Sequence, residues 1–236
     1  MEKTPESAPR TNHDYELYAA AFGEIITDAQ VIADIGAGDS NFAETVEAQA
    51  ANKTVWRFDA QYKDTPAAGE RTVAADVRQL DMVQDDTFDA SLSAFMFQHI
   101  THGHGDVALA IKEMVRITKT AEPSDKTKGN VAIYPVWGDG ADLMRLLADE
   151  GLNDDNAVAI GYPTAGGLKH LDRRLNMPTL AIKKTDNLTP ERVEAIAKLI
   201  ESTKVLHKTE TPITLGRRAL MALTGRTRRN TTNNRS

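Results

Sequence analysis

The sequence predicts a doubly wound α/β domain built on a mostly parallel seven-stranded sheet with an antiparallel final strand. Three observations lead there. Short apolar runs of strand length alternate with stretches of helical periodicity from Val31 to Lys184, the pattern of a parallel sheet covered by helices on both faces. A glycine turn, Gly36 and Gly38, follows the first apolar run directly. No helical stretch separates the last two runs, so that pair needs no crossover and is expected to be antiparallel. With 236 residues, 41% apolar and 26% charged, the chain has enough apolar surface for one sizeable core.

The elements follow in order. Met1 to Thr11 mixes Pro, Ser, Thr and charge without apolar periodicity and reads as a disordered lead, residues 1–11. Tyr15, Tyr18, Ala19, Phe22, Ile25 and Ile26 share a helical face, with Asn12 or Asp14 as the N-cap. Val31 to Ile35 is a buried strand, Phe42 to Ala51 a helix and Thr54 to Asp59 a second strand. A link too short for a full helix, Ala60 to Arg71, leads to a third strand, Thr72 to Asp76. Phe88 to Ala94 is the fourth strand, entered from the turn-like Asp85-Asp86-Thr87. Asp106 to Thr118 is a helix whose inner stripe is Val107, Ala110, Ile111, Met114 and Val115. Val131 to Tyr134 makes a fifth strand, and Asp139 to Asp149 a helix stopped by Gly151. Val158 to Tyr162 and Thr179 to Lys184 close the sheet, and a last helix starts at Thr189-Pro190. Residues 12–211 thus form the folded domain, and 212–236 a basic tail.

Composition excludes several functions. With no cysteine in the chain, disulfides, thiolate metal sites and a cysteine nucleophile are all out. No apolar run approaches the ~20 residues of a membrane span, and MEKTPESAPR places acids and prolines where a signal peptide needs an apolar stretch. A cytoplasmic protein is expected. The net charge of −6 is unevenly spread: from Thr203 on, eight Lys or Arg face one acid, Glu210, a net +7 that leaves −13 on residues 1 to 202. Within the tail, Leu215 to Leu223 reads as a short amphipathic helix, and the Arg-rich end through Arg226, Arg228 and Arg229 suits an anionic partner, RNA or acidic lipid. The acidic body of the same protein is the competing destination.

The strongest local signal is VIADIGAGDSNF, Val31 to Phe42. Glycines after a buried strand let the backbone approach a ligand closely, and the following helix start offers free N–H groups. Asp34 stands two residues before Gly36, where a dinucleotide fingerprint has an apolar residue, and Asn41 replaces the third glycine of that fingerprint. Asp59 closes the second strand, the place from which a carboxylate accepts hydrogen bonds from both hydroxyls of a ribose. The combination describes a nucleoside-bearing ligand with no pyrophosphate to cradle.

On these residues the chain resembles the class I S-adenosylmethionine-dependent methyltransferases, in particular the small-molecule type without a separate substrate domain. The resemblance spans Val31 to Lys184. It implies a Rossmann-like fold and S-adenosylmethionine as cofactor. It also implies that Asp34-Ile35-Gly36-Ala37-Gly38 meets the cofactor's methionine part, with the acid orienting it. Asp59, followed by Ala60, would hold the ribose, and Asp76 with Val77 the adenine. Ser93 and Ala94 would line the methionine end by their backbone. Ser40 departs from the glycine often found at its place, and no Asn-Pro-Pro-Tyr follows the fourth strand, so the resemblance gives no support to amino-methylation of DNA bases or glutamine.

The methyl acceptor is not legible, and a small molecule is expected. His99 follows the fourth strand and is the candidate general base for an attacking hydroxyl, with a packed or capping histidine as the equal alternative. His102 and His104 lie close by in sequence, but no carboxylate stands at helical spacing to complete a metal site. Tyr15 and Tyr18 on the first helix and Tyr134, Trp137 and Tyr162 near strand ends offer aromatic faces of the kind that attract a sulfonium cation, and Arg173-Arg174 in a loop could meet an anionic substrate. Core packing for the aromatics and simple exposure for the arginines are the defaults. A nicotinamide-dependent oxidoreductase, and a non-catalytic module acting through its tail, are the rival functions.

Overall fold

The computed structural model describes residues 13–62, 71–97, 100, 106–122, 124–136, 140–152, 157–161 and 178–209. The expected lead, the tail with its Leu215 to Leu223 helix, and the N-cap alternative Asn12 lie outside them, while the other alternative, Asp14, falls inside the first helix, which starts at His13. The chain runs α1 (His13–Asp28), β1 (Val31–Ile35), α2 (Phe42–Gln49), β2 (Thr54–Asp59), β3 (Thr72–Ala74) and β4 (Ala90–Ala94). It continues through α3 (Asp106–Ile117), β5 (Asn130–Tyr134), α4 (Gly140–Asp149), β6 (Val158–Gly161), β7 (Thr179–Lys183) and α5 (Pro190–Thr209).

The strands form one seven-stranded sheet in the order β3-β2-β1-β4-β5-β7-β6. Neighbours from β3 to β5 pair in parallel, and β7 runs antiparallel to both β5 and β6. The final strand is therefore antiparallel, as expected, and it is inserted between β5 and β6. Strands buried on both faces need apolar residues throughout. Ile32, Leu92 and Tyr134 face α1 and α2, where they pack with Phe22, Phe42 and Val46. Ala33, Val131 and Ile133 face the other layer, with Ile111 and Met114 of α3 and Ile196 and Ile200 of α5.

Two strands, β4 and β3, are shorter than the sequence predicts. β4 begins at Ala90 because the Asp89 carboxylate accepts hydrogen bonds from the backbone N–H groups of Gln30 and Val31 at 3.1 and 2.8 Å. Phe88 instead forms an isolated bridge with Thr118. β3 ends at Ala74, where Ala75 N–H makes the last bond to β2, donating to the Asp59 carbonyl, before the chain turns away through Asp76. No helix forms in the described residues between β3 and β4. That loop is held to α3 by Arg116, which donates to the carbonyls of Val83 and Leu80 and pairs with Asp85, while Glu113 accepts from Leu80 N–H.

Adjacent strands depart from the sheet's middle in opposite directions, β1 toward β2 and β4 toward β5. A crevice opens at the carboxyl ends of β1 and β4, the position where such sheets bind ligands.

Candidate functional site

The cavity of about 430 Å³ lies at this crevice. Gly36, Ala37 and Gly38 form its wall after β1, and Asp59 and Ala60 the wall after β2. Asp76 and Val77 come from beyond β3, and Ala94 from the end of β4. Eight of the ten cofactor-binding residues expected from the sequence thus converge on one volume. Asp34 and Ser93 do not line it: both are fully buried behind the wall, since alternate residues of a strand point to opposite faces and only strand ends reach the crevice.

The glycine turn is held from several sides. Gly36 has φ +74°, and a Cβ on it would stand 2.5 Å from Cβ of Met96, so neither the conformation nor the space admits a larger residue. Gly36 and Ala37 N–H both donate to the Phe58 carbonyl, at 2.7 and 3.1 Å. Gly38 N–H donates to Oδ2 of Asp59 at 2.8 Å, and the Gly38 carbonyl accepts from Arg57 Nη2 at 3.0 Å and Tyr62 Oη at 2.5 Å. The other oxygen of Asp59 accepts from Gln61 N–H at 2.8 Å. Asp59 is therefore fixed at the cavity edge with lone pairs left on both oxygens.

Behind this turn, Tyr18 of α1 reaches from the cavity wall to Asp34. Its hydroxyl donates to Oδ1 at 3.1 Å, and its ring stacks on Phe42 with centroids 4.4 Å apart. Oδ2 of Asp34 finds no partner among the described residues. Burial pushes the Asp34 carboxyl up to about 7, against the lowering pull of the Tyr18 hydrogen bond and of Arg57.

On the far side, Asp76 is engaged by Arg78. Its Oδ1 accepts from Arg78 N and Nε at 2.9 Å each, and its Oδ2 accepts from Nε at 3.0 Å and from Nη2. These bonds hold the Asp76 carboxyl below its ordinary range. Arg78 Nη1 also pairs with Asp106 Oδ2 at 3.2 Å, in the first turn of α3. All three residues line the cavity.

Past β4, Phe95 takes φ +62°, a left-handed conformation unusual for an aromatic residue. Its N–H donates to the Tyr134 carbonyl at 2.6 Å, and its ring meets Tyr134 edge to face at 5.5 Å. The bend turns Met96 onto Gly36 and into the cavity wall. Such strain concentrates where a chain is shaped around a ligand. Sequence reasoning missed Arg57, Tyr62, Arg78 and Met96. The only signal for Arg78 is its place two residues after Asp76, and none marks the others. His99, His102, His104, Trp137, Tyr162, Arg173 and Arg174 lie outside the described residues. Among the described residues no group of three His, Cys, Asp or Glu is placed to hold a metal ion.

Residues 33–121 match the family model described as a methyltransferase domain. No curated protein matches the chain in sequence. Among solved structures, it is similar to an O-methyltransferase family protein from Burkholderia thailandensis at 10% identity and TM-score 0.46, over 75% of this chain and 57% of that one. It is similar to human N-acetylserotonin methyltransferase, solved with SAM, at 11% identity and TM-score 0.43, over 73% and 52%. A SAM-dependent methyltransferase from Archaeoglobus fulgidus aligns at 11% identity and TM-score 0.47, over 74% and 95%. The chain spans little more than half the length of the first two. Its own strand order, with β7 antiparallel between β5 and β6, is that of the Rossmann-like methyltransferase fold.

Proposed function

With a methyltransferase domain matched over residues 33–121, we propose that the chain resembles the class I enzymes in function too. It binds S-adenosylmethionine in the cavity and transfers its methyl group to an acceptor, a small molecule. The observation that carries this reading is the joining of the Gly36–Gly38 turn to Asp59 at the crevice of the sheet. That arrangement offers a close backbone approach and a fixed acidic acceptor for ribose hydroxyls, with no third glycine for a pyrophosphate.

The residues present fit the cofactor. Gly36, whose own Cβ would stand 2.5 Å from Met96, leaves the turn bare backbone at the cavity wall, and Asp59 keeps acceptor lone pairs on both oxygens at the cavity edge. Gly36, Ala37 and Gly38 would hold the methionine part, Asp59 and Ala60 the ribose, and Asp76 and Val77 the adenine. Asp34 would act from behind the turn, through the loop it underlies. The bound cofactor supplies an electrophilic methyl on a sulfonium sulfur. The chain's own share is alignment and exclusion of water, which together supply effective molarities of about 10⁵ to 10⁸ M for well-oriented reactants. Phe95, Met96 and Tyr18, which line the cavity, would shield the methionine end. His99 is proposed as the base that takes the proton of an attacking hydroxyl.

We propose further that the basic tail meets an anionic partner, RNA or acidic lipid, and that the protein works in the cytoplasm; no described helix is long and apolar enough to cross a membrane. Calorimetry of the full chain with S-adenosylmethionine, S-adenosylhomocysteine and NAD tests the central reading. Binding of the first two and not the third is expected, and binding of NAD alone would replace the reading with an oxidoreductase.

A further inference from the structure

Asp76 does not stand as a lone acid at the cavity wall. A carboxylate has about four lone-pair sites. Arg78 presents its backbone N–H and its guanidinium fork to these sites, with both donors on Oδ1 and the fork closing on Oδ2. Because the Nε–H is shared between the two oxygens, three hydrogens meet the four sites, and the carboxylate is locked in one rotamer with room for one more donor. The third arm of the guanidinium reaches Asp106, so one residue ties the turn after β3 to the first turn of α3. Asp106 is well placed there, since a negative side chain suits the positive end of a helix.

The geometry points to Arg78 as a positioning and specificity-determining residue. It holds Asp76 in a single orientation as the acceptor for a donor group on the ligand's base, and it ties that side of the cavity to α3. The claim rests on the reading of the cavity as an adenosyl site. Asp76 and Arg78 are each about two-fifths exposed, so in an ordinary surface pair the two side chains would exchange partners freely. The bidentate fork, the added backbone donor and the second carboxylate at Asp106 together remove that freedom. The depressed titration of Asp76 follows from the same bonds and keeps it an acceptor only. An acceptor in that place favours a 6-amino purine and disfavours a 6-oxo purine, whose carbonyl would face it unpaired. Lysine cannot replace the fork, because an ammonium is a point charge without the matching planar geometry.

The test is calorimetry of the full chain and of Arg78→Ala and Arg78→Lys with S-adenosylhomocysteine and with S-inosylhomocysteine, its 6-oxo analogue. The same proteins are followed by hydrogen exchange at residues 106–110. The wild type is expected to prefer the 6-amino ligand by about tenfold or more. Arg78→Ala should lose about tenfold for that ligand and under threefold for the 6-oxo ligand, and Arg78→Lys should not restore the difference. The first turn of α3 should exchange faster in both variants. Equal losses for the two ligands, or no loss, would overturn the specificity role, and unchanged exchange would overturn the tie to α3. A wild type that binds neither ligand sinks the adenosyl reading and the specificity claim with it, while the exchange measurement still judges the tie.

Discussion

Asp59 supports the glycine turn as well as facing the cavity, and its replacement therefore has two consequences. Asp59→Ala removes the acceptor of Gly38 and Gln61 N–H, and hydrogen bonds to a charged group are worth about 1.5 to 3 kcal/mol each. A loss of at least about 1.5 kcal/mol is expected in urea unfolding, with at least about tenfold weaker S-adenosylmethionine binding by calorimetry. Affinity at the wild-type level would remove Asp59 from the site. Asp34 makes a different prediction. Its carboxyl is pushed up to about 7 in the fold from 3.8. Between about pH 4 and pH 7 the unfolded chain has therefore released a proton that the folded chain still holds. Stability falls as pH rises through that window and stays lowered above it. Asp34→Asn keeps an acceptor for Tyr18 and removes the ionisation. The stability of the variant relative to wild type should rise from pH 4 to pH 7 and level off beyond, in urea titrations at each pH; a difference that does not vary with pH would refute the shift.

Among the elements, the entry to β5 is set by Gly129. It has φ +74°, and a Cβ there would stand 2.8 Å from the Lys184 carbonyl oxygen and 3.0 Å from Cβ of Ala121. Both neighbours belong to the framework, Lys184 following β7 and Ala121 following α3. Gly129→Ala is expected to cost about 2 kcal/mol from the left-handed backbone alone, read as a lowered urea midpoint with an unchanged slope. Strand ends were the least legible part of the elements. Phe88 is as apolar as Leu92, so periodicity extends the fourth strand to it, yet the Asp89 carboxylate takes the two N–H groups that would continue the pairing. A side chain in place of a ladder bond leaves no periodic trace.

At the scale of the whole molecule, charge is separated along the chain: −13 on residues 1 to 202 and +7 beyond. If the tail binds polyanions, affinity for a short single-stranded RNA or for phosphatidylserine vesicles should fall steeply between about 50 and 200 mM salt, because each neutralised phosphate releases a counterion. A chain ending at Thr211 should lose that binding. Equal binding by the full and the shortened chain at low salt would assign the tail no such role.

The alternation of apolar runs, the glycine turn and the lack of helical periodicity between the last two apolar runs were enough to define the sheet and the side on which it binds. These are local consequences of burial: a strand covered on both faces must be apolar over its length, and a turn with positive φ must hold glycine at Gly36. The place of Asp59 at the end of β2 was legible for the same reason, since its neighbours along the chain define the strand end. Tertiary structure alone decided the partners. Tyr18 meets Asp34 across 16 positions, Tyr62 and Arg57 meet the Gly38 carbonyl across 24 and 19, and Arg78 reaches Asp106 in another element. The length of a side chain and its charge are written at one position, but the atom it reaches depends on which elements the core brings together. No local pattern encodes that distance.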